Sequence, residues 1–497
     1  MSKHLKSMKT LLTILIVSLL VISGCGSKKD GNTAGSNGKD AAPYELTMAY
    51  IASSNVDDIK NVQEEINKIT KEKINVNVTL LPIGGGAWTQ QTNLMLTGTE
   101  KLDLIVSSSF YNYSTQAAKG QLLPLDELLE SHGKGVLETM PEHMINATKI
   151  DGKIYGVPSV RDWASDHGFI MRKDLVEKYN IDLSKVKTIE DMGDIFKTIK
   201  ENEPTIDPIV NTGTLLSVAE TYIYPFFDRL GDNIGVLEMK EDNWKVENLF
   251  ESPIYKDAVS LAREWYKAGY IMKDAATSDE VGYNIVKSGK GFGYFTNMKP
   301  GLETQETIRS GHEMVAVRVT EPFQFTTSAT SFMMSLARNS ENPEKAMEFM
   351  NLLYTDADIM NLLTLGIEGK HYTIDDEGFA VQPEGESNYV FNQWLIGNNF
   401  LTHVWKGNEK DYWKQLSEFN ESAKASPAFG FSFDVTPVKT EIAATANVLE
   451  QYRAGLETGT LDPEKSLPEF IKKLKSAGSD KIMEEKQKQL DEWRKKN

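Results

Sequence analysis

The chain of 497 residues contains a single cysteine, so no disulfide can form within it and a small disulfide-stapled scaffold is excluded. Basic residues are in the minority, 54 against 71 acidic ones, for a formal charge of −17. A duplex nucleic-acid binder needs Lys and Arg to displace phosphate counterions, so this balance argues against that class. Long apolar runs are missing too. The longest, Leu11 to Ile22, is 12 residues broken by Thr13 and Ser18, where a membrane-spanning helix needs roughly 20. There are only seven histidines, none in an HExxH or i, i+4 pair, so no metal site is expected from spacing. A G-x-S-x-G elbow is absent, Gly84-Gly85-Gly86 is not followed by Lys-Ser or Lys-Thr, and Gly289, Gly291 and Gly293 do not make G-x-G-x-x-G. No 20–50-residue repeat marks a solenoid or propeller. What remains is an ordinary globular composition, 40% apolar and 25% charged, with material for several domains at about 150 residues each.

The N-terminus supplies an address. Lys3, Lys6 and Lys9 precede the short apolar run, and Ile22-Ser23-Gly24-Cys25 follows it. Residues 1–24 therefore read as a signal peptide. An aliphatic residue, two small residues and a cysteine resemble the lipobox of bacterial lipoproteins, which implies lipidation at Cys25. The plainer alternative is an ordinary thiol beside a cleavage site. Cleavage before Cys25 removes the three lysines and takes the charge from −17 to −20. Residues 25–43 hold almost nothing to bury and read as a lipidated flexible tether, with a mean reach of roughly 20–25 Å.

Downstream, Glu45–Ile51 reads as a strand, and Ile59, Val62, Ile66 and Ile69 mark one face of a helix starting near Asp57. Ile74, Val76, Val78 and Leu80 alternate as a strand, a helix runs from about Trp88 to Leu96, and Leu102–Val106 reads as a buried strand. This β-α-β-α-β order predicts parallel strands, with ligands outside their carboxyl ends, near Ala52–Asn55, Ile83–Trp88 and Ser107–Tyr113. Asp151-Gly152-Lys153 makes a turn. Gly168–Met171 reads as a strand and Lys173–Tyr179 as a helix. The Thr188-to-Asp191 spacing predicts a capping box opening a helix to about Asn202. Further helices are expected over Leu215–Leu230, Tyr255–Ala268, Pro343–Leu365 and Ser479–Lys496.

Lipobox, tether, βαβ units, LDLIVSS, GQLLPLD at 120–126, DGKIYGVPS and the NPEKA segment from Asn342 stand in an order that resembles the extracellular solute-binding proteins of bacterial carbohydrate ABC importers, of the family 1 type. EFNESAKASPAFGFSFD, PVKTEIAATANVLEQY and LPEFIKKLKSAGSDKI resemble the C-terminal domain of a LipO-like lipoprotein subgroup. The resemblance implies an α/β, two-lobed periplasmic-binding-protein-like (class II) fold with discontinuous lobes joined by a hinge. It implies lobe 1 over 44–160 plus 312–370, and lobe 2 over 161–311 plus 371–497. The implied activity is capture of an oligosaccharide, or another polar small solute, between the lobes and delivery to the permease subunits. The protein would be a monomer on the extracytoplasmic face of the cell membrane, without catalysis, metal or cofactor. Rival readings are a lipid-anchored glycoside hydrolase or lyase and a sugar-sensing subunit. With 71 acidic residues, some carboxylate pair always has glycosidase spacing, so no single pair marks a glycosidase.

Sugars offer apolar C–H faces to aromatic rings and hydroxyls to polar side chains. Candidate ligand-binding residues are therefore Trp88 after the glycine-rich loop, and Ser109, Phe110 and Tyr111 after the third strand. Arg161, Asp162 and Trp163 follow where the chain should change lobe. Tyr222, Tyr224, Asn297 and Phe429 complete the set. Each has a structural alternative in the core or at an ordinary ion pair. Trp163 is expected to be removable without collapse of the ligand-free protein. Trp265, amid a helical apolar pattern, reads as core.

Overall fold

The computed structural model of the chain describes residues 42–52, 58–213, 216–240, 242–383 and 389–496. The signal peptide, Cys25, nearly all of the tether and Ser53–Asn55 lie outside them. Among the described residues no helix is long and apolar enough to cross a membrane.

Among the described residues from Pro43 onward, the two largest of six sheets, with five and four strands, carry the two principal cores. In the first sheet, Tyr44–Ala52 pairs in parallel with Val76–Gly84 on one side and Leu104–Ser107 on the other. Leu104–Ser107 is buried throughout, as a strand covered on both faces must be. The helix Ile59–Ile74 lays Val62 and Ile66 on this sheet, and Gly85–Thr97 covers it through Trp88, Thr92 and Leu96. Two antiparallel strands, Met333–Leu336 and Val157–Pro158, extend the sheet.

The second sheet has the order Met314–Arg318, Asp166–Arg172, Gly291–Met298, Asp207–Ile209. Asp166–Arg172 runs antiparallel to both neighbours. Gly293 is a packing residue here: a Cβ on it would collide with the Ile170 carbonyl oxygen. Pro253–Lys267 buries Tyr255, Ala258, Val259, Ala262 and Trp265 against this lobe. The C-terminal helices Lys439–Glu457, Pro463–Ala477 and Ser479–Lys496 join the same core through Tyr452, Leu456, Phe470, Leu474 and Ile482.

The packing moves the expected lobe boundaries. The segment from 312 opens with Met314–Arg318, which pairs in the second sheet, so the chain returns to the first lobe only between Phe323 and Ala329. Leu395 and Ile396 lie in the first core, although the resemblance implies the second lobe for 371–497. Local backbone chemistry corrects three helices. The Leu215–Leu230 helix is only Val218–Ile223, because Pro225 lacks the N–H that a continuing helix needs and a 3-10 turn takes over. Pro343–Leu365 is two helices, Pro343–Thr355 and Ala357–Leu365, divided at Asp356, whose extended backbone lets its carboxylate accept from Ile359 N. The helix after Thr188 starts at Met192, while Asp191 Oδ2 accepts from the Lys187 and Thr188 amides.

Three crossings link the lobes and are stitched side by side. Ser165 and Phe323 exchange backbone hydrogen bonds of 3.0 and 2.8 Å. Phe323–Gln324 pairs in parallel with Lys424–Ala425 of the third crossing, which runs on from Phe429, against the first core, to Phe433, against the second. Asn420 fastens the arrangement. Its Oδ1 accepts from Trp163 N and Ala164 N at 2.8 and 3.0 Å, its Nδ2 donates to Arg161 O at 2.8 Å, and its carbonyl accepts from Gln324 Nε2 at 3.0 Å.

Candidate functional site

Where the crossings meet, a cavity of about 490 Å³ opens between the lobes. Phe110, Thr327, Ser328 and Ser331 line it from one side, Arg161 to Ser165 form its floor, and Tyr224, Asn297, Lys299, Glu306 and Arg309 line the other. Smaller cavities share its walls. One of about 210 Å³ shares Arg161, Asp162 and Lys299, and adds Trp394, Tyr412 and Trp413. Another of about 280 Å³ shares Phe110 and Thr327, and adds Glu220, Arg229, Asp232 and Arg453. A third of about 150 Å³ adds Ser109, Phe431 and Phe433. The result is an elongated groove floored by the hinge. A larger hollow of about 800 Å³ lies between Lys245–Pro253 and the last helix, but only the second lobe lines it.

The first-lobe wall presents an apolar ring. Ser108 Oγ accepts from Phe110 N and sets the 3-10 turn Ser109–Tyr111 at the carboxyl end of Leu104–Ser107. That turn leaves Phe110 60% exposed, with its ring 6.1 Å from Phe332. The Arg161 guanidinium stands 5.9 Å from the Phe332 ring centre. Buried Ser109 Oγ has no hydrogen-bond partner. An exposed ring beside open hydroxyl and guanidinium donors suits a solute with both C–H faces and hydroxyls.

The floor is fixed electrostatically. Arg161 donates to Asp162 Oδ1 at 2.9 Å and to Ser331 Oγ at 2.8 Å, and Lys299 lies 3.6 Å from Asp162 Oδ2. Burial alone would raise the Asp162 carboxyl, but the two cations outweigh it and hold it below the usual range. The second-lobe wall is rigid and largely buried. Tyr224 stacks on His167 at 3.5 Å and meets Phe325 edge-on at 4.9 Å. Burial pushes His167 down to about 3, so the ring is neutral near pH 7. Asp166, fully buried and paired with Arg318, is lifted by that burial to about 6 despite the cation.

These positions separate the expected site residues. Phe110, Arg161, Asp162, Trp163, Tyr224 and Asn297 line the main cavity, and Ser109 lines the adjoining one. Trp88 is 1% exposed beneath its own helix and offers no ring face to a solute. Tyr111 packs on the first core, its ring 6.3 Å from Trp88. Tyr222 turns towards Phe226 and Glu190, away from the groove. Phe429 packs 5.9 Å from His143 on the first lobe, also outside the groove lining.

Trp163 lines the floor but is only 8% exposed and belongs to the first core, with Nε1 donating to Ser159 O at 2.8 Å. Its ring fills core volume, which favours the structural alternative over the expectation that its removal leaves the ligand-free protein within a few degrees of the parent. Phe332, Trp394, Trp413, Arg229, Arg453 and Asn420 are site or hinge residues that the sequence reading missed. Asn420 left one signal, an amide inside the helix Tyr412–Ser422, where Asn is a poor helix former. Among the described residues no cluster of three or more His, Cys, Asp or Glu could hold a metal ion.

Comparison with known proteins gives a consistent family. Residues 52–360 match the model for bacterial extracellular solute-binding proteins, and residues 427–495 match a domain of unknown function. The chain is 30% identical to a carbohydrate ABC transporter substrate-binding protein of Streptococcus pneumoniae, covering 95% of this chain and 96% of the relative. It is 21% identical to lipoprotein LipO of Bacillus subtilis, covering 95% and 96%. Among solved structures, the N-glycan transport solute-binding protein of Streptococcus pneumoniae is 29% identical, with 91% of this chain and 99% of that chain covered and a TM-score of 0.81. Its complexes with Man1GlcNAc and Man5GlcNAc score 0.72 and 0.70 at the same identity and coverage.

Proposed function

The chain belongs to the bacterial extracellular solute-binding proteins, and from that premise we propose that it captures an oligosaccharide between its two lobes and passes it, chemically unchanged, to an ABC importer permease. The observation that carries the reading is the elongated groove at the crossings, with exposed Phe110 on one wall and pinned polar groups on the floor. Stacking on Phe110 holds a C–H face, while Arg161, Asp162, Asn297 and Ser331 exchange hydrogen bonds with hydroxyls. A solute touching both walls favours the closed arrangement by its extra contacts, and the permease reads that shape.

The lipobox at Cys25 supports a lipid anchor that holds a monomeric body on the extracytoplasmic face. The test is a melting-temperature screen of the protein against neutral oligosaccharides, including the two sugars bound by the solved relative, with product analysis of each mixture. A ligand at 100 times its Kd should stabilise by about 2.7 kcal/mol without product. Cleavage of the sugar, or no shift with any oligosaccharide, overturns the reading.

A further inference from the structure

The C-terminal region 427–495 matches a domain to which no role is attached. Its packing reaches the groove at three places. Arg453, on the helix Lys439–Glu457, lines the 280 Å³ chamber beyond Phe110. Phe431 and Phe433, on the third crossing, line the adjoining 150 Å³ chamber opposite the unpartnered hydroxyl of Ser109. Lys486, on the last helix, is fully buried and donates to Asp232 Oδ1 at 3.0 Å, Ile234 O at 2.8 Å and Gly235 O at 3.0 Å. It thereby fixes the turn whose Gly231 and Asp232 line both chambers.

We propose that this C-terminal domain is a site-building domain, which walls a second chamber of the groove beyond Phe110 and there binds a further neutral sugar unit through Arg229 and Arg453. The inference rests on the oligosaccharide reading and adds the part of the site that selects for length. The chamber's guanidinium groups are positioned before any solute arrives. Arg229 donates to Glu220 Oε1 at 2.6 Å and also to Asn233, while Arg453 lies 3.7 Å from Glu220 Oε2 and donates to Glu457 Oε1 at 2.9 Å. Glu220 Oε2 is buried and accepts no hydrogen bond, its charge met by Arg453, so both arginines are held against one carboxylate. Arg229 and Arg453 share the chamber lining with two carboxylates, Glu220 and Asp232, so its formal charge is balanced and favours a hydroxyl-bearing unit over a charged one. Phe110 and Thr327 line both chambers, so a chain stacked on Phe110 extends directly from one into the other.

The test measures Kd for Man1GlcNAc and Man5GlcNAc with the full protein and its Arg453→Gln and Asn233→Ala variants. The expected result is a loss of tenfold or more for the long sugar and less than twofold for the short one. Asn233→Ala removes an acceptor of Arg229 and a lining amide of the chamber on a partly exposed turn, so it reports even where Arg453→Gln unfolds. Equal losses on both sugars, or no loss on either, overturn the chamber assignment while leaving the oligosaccharide reading intact. Failure of the unmodified protein to bind any oligosaccharide overturns both, and binding of other oligosaccharides with neither of these two overturns the chamber assignment alone.

Discussion

The two walls of the groove hold their groups in different ways. On the first lobe, Phe110 stands 60% exposed on a short turn and contributes little to the core. On the second, Asp166 and His167 are buried, and Glu220 is locked between two arginines. One wall can therefore lose a contact without losing the fold, whereas the other couples recognition to stability. A ring that stacks needs only an exposed face. Charged groups taken from water must be paired wherever they sit, and breaking a pair strands the survivor.

The floor between the walls should show the largest effect. Trp163→Ala is expected to destabilise the ligand-free protein by about 3–5 kcal/mol, because it empties core volume; chemical denaturation reads this, and an unchanged midpoint would place the ring outside the core. The second wall should respond to pH. Asp166 has a folded pKa raised to about 6, so its favourable contribution is complete below 3.8 and fades as pH rises through 6. His167 has the opposite sign: its pKa is depressed to about 3, so its contribution is present above 6.5 and is lost as pH falls towards 3. Asp166→Asn should leave the histidine's acid loss unopposed and steepen the fall in stability below about pH 6. His167→Phe should flatten or reverse it. Parallel pH profiles for the two variants would contradict this assignment.

On the first wall, Phe110→Ala should weaken oligosaccharide binding about tenfold, roughly 1.4 kcal/mol, with a melting point within a degree or two of the parent. A large drop in melting point would make Phe110 structural. The smallest effect is expected at Tyr222→Phe, which faces away from the groove: no change in sugar affinity and less than about 1 kcal/mol in stability. A clear loss of affinity there would return Tyr222 to the site.

Much of the first lobe was legible because its contacts are local. The stripe at Val62 and Ile66 and the alternation through Val76, Val78 and Leu80 each encode a buried face within one element. Phe110 was legible for a related reason: it follows a buried strand in a chain order that leaves the loop at a ligand-facing edge. Trp88 carried the same signal and went the other way, since the helix Gly85–Thr97 turned its ring inward. The strand Met314–Arg318 could be read as a strand-length apolar segment, but nothing in it says which sheet it joins.

By itself, the sequence determined the single-cysteine, acidic, α/β character of the chain and the periodic faces of its elements. These depend on side-chain spacing along one segment. Only the tertiary structure decided the three stitched crossings, the hub at Asn420 and the meeting of Arg229 and Arg453, far apart in the chain, around Glu220. Such contacts join distant elements, and their energy comes from desolvated pairing that exists only once the lobes have packed.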